Sequence, residues 1–152
     1  MSLLIKFAIV LTEISCLCIL MNFKNGLIVT SATITIYDKE YIFNDVLIDT
    51  GANTSCISSK YVKIDTSHPD YLGTKLCNGV NSTTDVHNIK STILVCGIVF
   101  TIPILVCDIT NDAIIGMDIL KNSNLVLEYK GNNQTKISLD FNILKAELMQ
   151  KG

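Results

Sequence analysis

One short stretch restricts this 152-residue chain more than any other, because it delivers a charge to the end of an apolar run. Val46-Leu47-Ile48 leads directly into Asp49, and Thr50-Gly51-Ala52-Asn53-Thr54-Ser55 follows before Cys56-Ile57-Ser58 resumes an apolar pattern. Three apolar residues, two of them β-branched, predict a short buried strand, and residues 49–54 predict a turn at its end. A carboxylate there must be paired, hydrogen-bonded or protonated, since burying it alone is costly. Gly51 lacks a Cβ, so its N–H can approach a carboxylate closely. Thr50 and Thr54 add hydroxyls. Asp and Gly are also ordinary turn formers, so the tripeptide alone is equally a strand-ending turn. About sixty residues later a second stretch changes that balance: Asp112-Ala113-Ile114-Ile115-Gly116-Met117-Asp118-Ile119-Leu120, an apolar pair entering Gly and then a short amphipathic turn.

The remainder reads as an all-β body. Half the residues are apolar and 17% are charged, enough for one folded domain and too few residues for two substantial ones. A net charge of −2 without a basic patch gives no reason to expect nucleic-acid binding. Strands are predicted at 27–37, 41–43 and 46–48, with Asp38-Lys39-Glu40 and Asn44-Asp45 as turns between them. Residues 65–74, including Gly73, read as a surface loop. Asn78-Gly79 between β-rich flanks at Lys75–Thr84 predicts a hairpin. Two apolar strands follow at 89–96 and 98–107, with Pro103 placing part of the second at an edge or bulge. A helical turn at 118–121, a hairpin of 124–129 with 135–141, and a C-terminal helix at 143–150 complete the reading.

Residues 1–24 form a separate apolar N-terminal segment, expected to be helical, ahead of a domain at 25–152. Phe7 to Met21 gives fifteen residues, about 22 Å of helix, against the roughly 30 Å of a bilayer core. Lys6 could lengthen the span by snorkelling, but Glu13 near its centre costs about 2.5 kcal/mol or more. Cys18-Ile19-Leu20-Met21 offers no small-x-small cleavage site. Residues 3–21 therefore stand as either a membrane anchor or a dispensable extension, which leaves location between cytoplasm and membrane.

Asp-Thr-Gly-Ala at the end of an apolar strand, followed at this spacing by Ile-Ile-Gly-x-Asp-Ile-Leu, resembles the retropepsin family of retroviral-type aspartic proteases, over roughly 26–129. The resemblance implies a single-lobed acid-protease barrel with a short helix after the second motif. It implies Asp49, Thr50 and Gly51 as catalytic residues, and Ala52, Asn53 and Ile114 as substrate contacts. It also makes Asn78-Gly79-Val80 the tip of a flap that closes over a peptide, with further specificity from residues near Ile104. No cofactor and no metal are implied. Such chemistry needs two carboxylates that share one proton, one activating water and one donating to the scissile carbonyl. This chain holds a single Asp-Thr-Gly, so the expected partners are a second copy of itself and a peptide or protein substrate.

Retroviral members usually carry an Asp where Asn53 stands and an Arg where Met117 stands. Both charges are absent together, as expected of a buried pair, since removing one alone strands the other at about 3–5 kcal/mol. Asp118 is expected instead to accept hydrogen bonds from the backbone around Asn53 and Thr54. A module that keeps the fold but only dimerises or binds peptide is the alternative reading. The six cysteines lack metal-ligand spacing and read as reduced core thiols, as in a reducing compartment. His68 and His87 are expected to be exposed. Asn53, Asn81 and Asn133 match the glycosylation tripeptide by chance.

Overall fold

Short β-branched runs punctuated by turn residues become strands in the computed structural model, which describes residues 22–24, 26–78, 83–130 and 134–141. In chain order these are β1 (Asn22–Lys24), β2 (Leu27–Ile36), β3 (Lys39–Ile48), β4 (Cys56–Ser58), β5 (Tyr71–Asn78), β6 (Thr83–Val95) and β7 (Ile98–Cys107). Then come β8 (Ala113–Ile115), a helical turn α1 (Met117–Leu120), β9 (Ser123–Lys130) and β10 (Gln134–Phe141). Of the segment expected to be helical at 1–24, residues 22–24 instead form β1, which pairs with β2 in the sheet, while residues 1–21 and the expected C-terminal helix at 143–150 lie outside the described residues. Among the described residues no helix is long and apolar enough to cross a membrane.

Eight strands form one mixed sheet in the order β1-β2-β3-β8-β4-β7-β6-β5, and β9 pairs with β10 in a second sheet. Ala32–Thr35 of β2 pair with β3 on one side and with Thr92–Val95 of β6 on the other. That second pairing closes six of the strands into a ring and removes most of the open edge. Inside it, Ile34, Ile36, Val46, Ile57, Ile89, Ile93, Ile104 and Ile115 are almost fully buried. Burying a side chain of this size contributes about 1.5–3 kcal/mol. The turn α1 is too short to be stable alone. It is held because Ile119 and Leu120 enter the same core, which Leu139 of β10 also joins.

Two turn assignments shift for physical reasons. The β2–β3 connection is Tyr37-Asp38, both with positive φ (50° and 62°), and Lys39 and Glu40 already belong to β3. A two-residue turn of this hand matches the strand twist. Tyr37 is held there as its hydroxyl donates to the Asp65 carbonyl at 3.1 Å. Asn44-Asp45 do not interrupt the strand. The register passes from Ala32↔Phe43 to Thr30↔Val46, so these two residues oppose Ser31 alone in a β-bulge. Gly73 likewise sits at a register shift within β5, with φ +98°, and not in a surface loop. Pro103 meets the expectation of an edge: it pairs with Lys90 of β6, while β4 pairs only with Leu105–Cys107 of β7.

The histidines are half-buried and partnered, contrary to expectation. His68 Nδ1 accepts from the Asp70 N–H at 3.0 Å, and His87 Nδ1 lies 2.9 Å from the Tyr71 hydroxyl. Tyr41, Phe43 and Tyr61 pack as an aromatic group beside the core. The Tyr61 hydroxyl donates to the Asp112 carboxylate, tying the chain after β4 to the turn before β8.

Candidate active site

β8 lies between the two strands that flank the Asp49 loop. It runs parallel to β3 (Leu47↔Ile114, Ile48↔Ile115) and antiparallel to β4 (Cys56↔Ile114, Ile57↔Ala113). The Asp49 N–H donates to the Ile115 carbonyl at 3.0 Å, so the ladder extends one residue beyond β3 and aims the loop. The loop then passes over Gly116. The Met117 N–H donates to the Ala52 carbonyl at 2.7 Å, and the Asp118 N–H to the Asn53 carbonyl at 3.1 Å. A Cβ on Gly116 would lie 2.7 Å from that Ala52 oxygen and 2.9 Å from the Thr54 carbonyl carbon, so only glycine fits.

At the loop's tip the Gly51 N–H donates to Asp49 Oδ1 at 2.8 Å, the contact that its lack of a Cβ permits. This orients the carboxylate, which is half-buried, while Thr50, Gly51 and Asn53 are exposed and Ala52 is half-buried. Asp49, Thr50, Gly51, Ala52 and Asn53 are thus brought together, with half-buried Ile114 in the strand beneath them. Asn78 ends β5 opposite Thr83. The side chain of Asn78, together with Gly79 and Val80, lies outside the described residues. Ile104 is fully buried in the core, so it cannot line a surface pocket of this protomer.

Ser55 was not anticipated from sequence. Fully buried, it donates its hydroxyl to Asp118 Oδ1 at 2.7 Å and accepts the Gly116 N–H at 3.1 Å. Its own N–H donates to Asp118 Oδ2 at 2.9 Å. Asp118 does cross to the loop as expected, but its partner is Ser55 and not the N–H of Asn53 or Thr54. The only local hint was a small hydroxyl residue immediately before the strand Cys56-Ile57-Ser58. Met117, at the position of the missing Arg, packs its side chain against the core while Asn53 faces outward. An apolar contact therefore stands in for one half of the absent ion pair.

Replacing Asp118 by Ala removes the acceptor for two Ser55 donors and leaves them buried. The expected loss is about 3 kcal/mol of unfolding free energy, measured by urea denaturation against Asp118→Asn, which retains one carbonyl oxygen. A loss below about 0.5 kcal/mol, within the range of ordinary surface substitutions, would show that the network does not hold the loop.

Among the described residues no cluster of three or more His, Cys, Asp or Glu could hold a metal ion. Fold and site together define a closed β domain that presents one acid from a strand-end loop interlocked with a crossing strand. The chain belongs to the retroviral aspartyl protease family, whose sequence model matches residues 29–128, from β2 to β9 and across both halves of the site. A comparison with curated proteins returned no match.

Proposed function

We propose that this chain is an aspartic endopeptidase whose working unit is a homodimer, with the β domain that begins at β1 carrying the activity. The carrying observation is that one chain provides a single acid loop, with Asp49 half-buried and Thr50 and Gly51 open to solvent beside it. A lone carboxylate cannot be base and acid at the same moment. Two Asp49 groups meeting across a two-fold axis can, sharing one proton because both cannot ionise cheaply at contact distance.

In this reading the ionised Asp49 removes a proton from water as the water oxygen attacks the scissile carbonyl carbon. The protonated Asp49 donates to the carbonyl oxygen, giving a neutral tetrahedral diol. In breakdown the C–N bond breaks as the protonated carboxyl gives its proton to the departing amine nitrogen, while the other carboxylate takes a proton from the diol, which becomes a carboxylic acid and leaves the pair again sharing one proton. Ala52 and Asn53 would contact an extended peptide, and Thr50 would bond its counterpart on the second chain. Asn78-Gly79-Val80 would cover the substrate from the β5–β6 hairpin. The Gly51 N–H at Asp49 Oδ1 supports this assignment, because it orients one oxygen and leaves the other for partner or water.

Dilution tests the two-chain site. Turnover of a fluorogenic peptide per chain is expected to fall as concentration drops below the dimer dissociation constant, whereas two copies joined head-to-tail keep it. Full turnover by a species that sediments as a monomer would overturn the proposal.

A further inference from the structure

Outside the Asp49 machinery the molecule gathers three thiols on one face of the sheet. β4 runs parallel to β7 with Cys56 opposite Leu105 and Ser58 opposite Cys107, so the side chains of Cys56, Leu105 and Cys107 project to the same side. There Val86, Leu105 and Cys107 form a small buried cluster, and Cys56, Cys77 and Ile109 pack against it. All three cysteines are free thiols. The cluster is separate from the main core and meets the Asp49 loop where the Cys56 thiol donates to the Thr54 carbonyl at 3.4 Å.

We propose that Cys56 and Cys107 are an oxidation site, which a peroxide converts into a disulfide. Hydrogen bonding between the two thiols pushes Cys56 up, with burial adding to the effect. The same contact holds Cys107 down, making it the sulfur that ionises first. The thiolate is the reactive form. In the first step the Cys107 thiolate attacks a peroxide oxygen. The S–O bond forms, the O–O bond breaks, and hydroxide leaves with the electron pair. In the second step the Cys56 sulfur attacks the sulfenyl sulfur of Cys107. The S–S bond forms, the S–O bond breaks, and the Cys56 proton leaves with that oxygen as water. Two thiols lose two electrons and one peroxide gains them.

Register makes this disulfide a strained one. Cys56 is displaced two residues along β7 from the position opposite Cys107. Closing the bond to about 2 Å draws the strands along one another. β4 is only three residues long and is paired on both sides, with β7 and β8, so the strain falls on those pairings. Strained disulfides are the readily reduced ones, so the site is reversible. The displacement also falls next to Ser55, whose bonds to Asp118 and Gly116 hold the loop.

The test treats the reduced full chain with equimolar hydrogen peroxide, then counts free thiols and maps linked peptides without reductant. The count is expected to fall by two from the six cysteines of the chain, with one linked peptide joining Cys56 to Cys107, and to recover with dithiothreitol. Cys77→Ser is expected to give the same linkage. Cys56→Ser is expected to lose it and leave a dimedone-reactive sulfenic acid at Cys107. An unchanged thiol count in the native chain, or a linked peptide joining any other pair, overturns the proposal without reference to peptide cleavage.

Discussion

Asp49→Asn is expected to lower peptide turnover about 10²–10⁴-fold, the usual contribution of a positioned acid or base, while fold and dimer persist. The substitution keeps size and leaves an oxygen able to accept the Gly51 N–H now held at 2.8 Å. On the proposed mechanism, what it removes is the proton shared by the two carboxyl groups. Because the two carboxylates act as a unit, a tandem dimer carrying a single Asn is expected to lose nearly as much as one carrying two. The measurements are steady-state turnover and sedimentation of the same samples. If the Asn chain retained half its turnover, Asp49 would not be the reacting group. If no turnover existed to lose, the dimerisation or peptide-binding reading would take its place.

The second large effect is on stability. Gly116→Ala is expected to cost about 3 kcal/mol or more and to lower the thermal midpoint by roughly 10 °C. The cause is not backbone conformation, since Gly116 has φ −104°, a region open to every residue. It is space: the nearest obstacles are the backbone atoms of Ala52 and Thr54, which cannot rotate aside as a side chain would. Relief requires lifting the loop, which lengthens the 2.7 Å bond from Met117 to Ala52. Scanning calorimetry with turnover measured on the same protein is the check. A midpoint within about 2 °C of the parent, under 1 kcal/mol at this size, would mean that loop and strand are not locked together as described.

Much of the site was legible because its signals are local. An apolar strand that ends in Asp-Thr-Gly, and a second that ends in Gly116, can each be read within a few residues. The short helix after Gly116 and the hairpin across 131–133 were legible for the same reason. Where reading failed, two structures share one composition. Asn44-Asp45 carry the residues of a turn, yet the same conformational freedom serves a bulge within a continuous strand. Gly73 was misplaced likewise. Ser55 escaped notice because its meaning depends on Asp118, 63 residues away, and no spacing rule joins a buried hydroxyl to so distant a carboxylate. The partner region of Asp118 was foreseen to within a residue or two because the resemblance had already set the two motifs side by side.

The crossing of β8 between β3 and β4 also bears on when the acid can be presented. Asp49 is synthesised well before the residues whose bonds shape its loop, Ile115, Gly116, Met117 and Asp118. Contacts of such long sequence separation form late, since the intervening chain must first be closed into a loop. A nascent chain that stops before those residues has strand and carboxylate but nothing to thread between the flanks. The shape of the Asp49 loop thus waits for residues 115–118, so a chain cut short before them would not hold the carboxylate in this geometry.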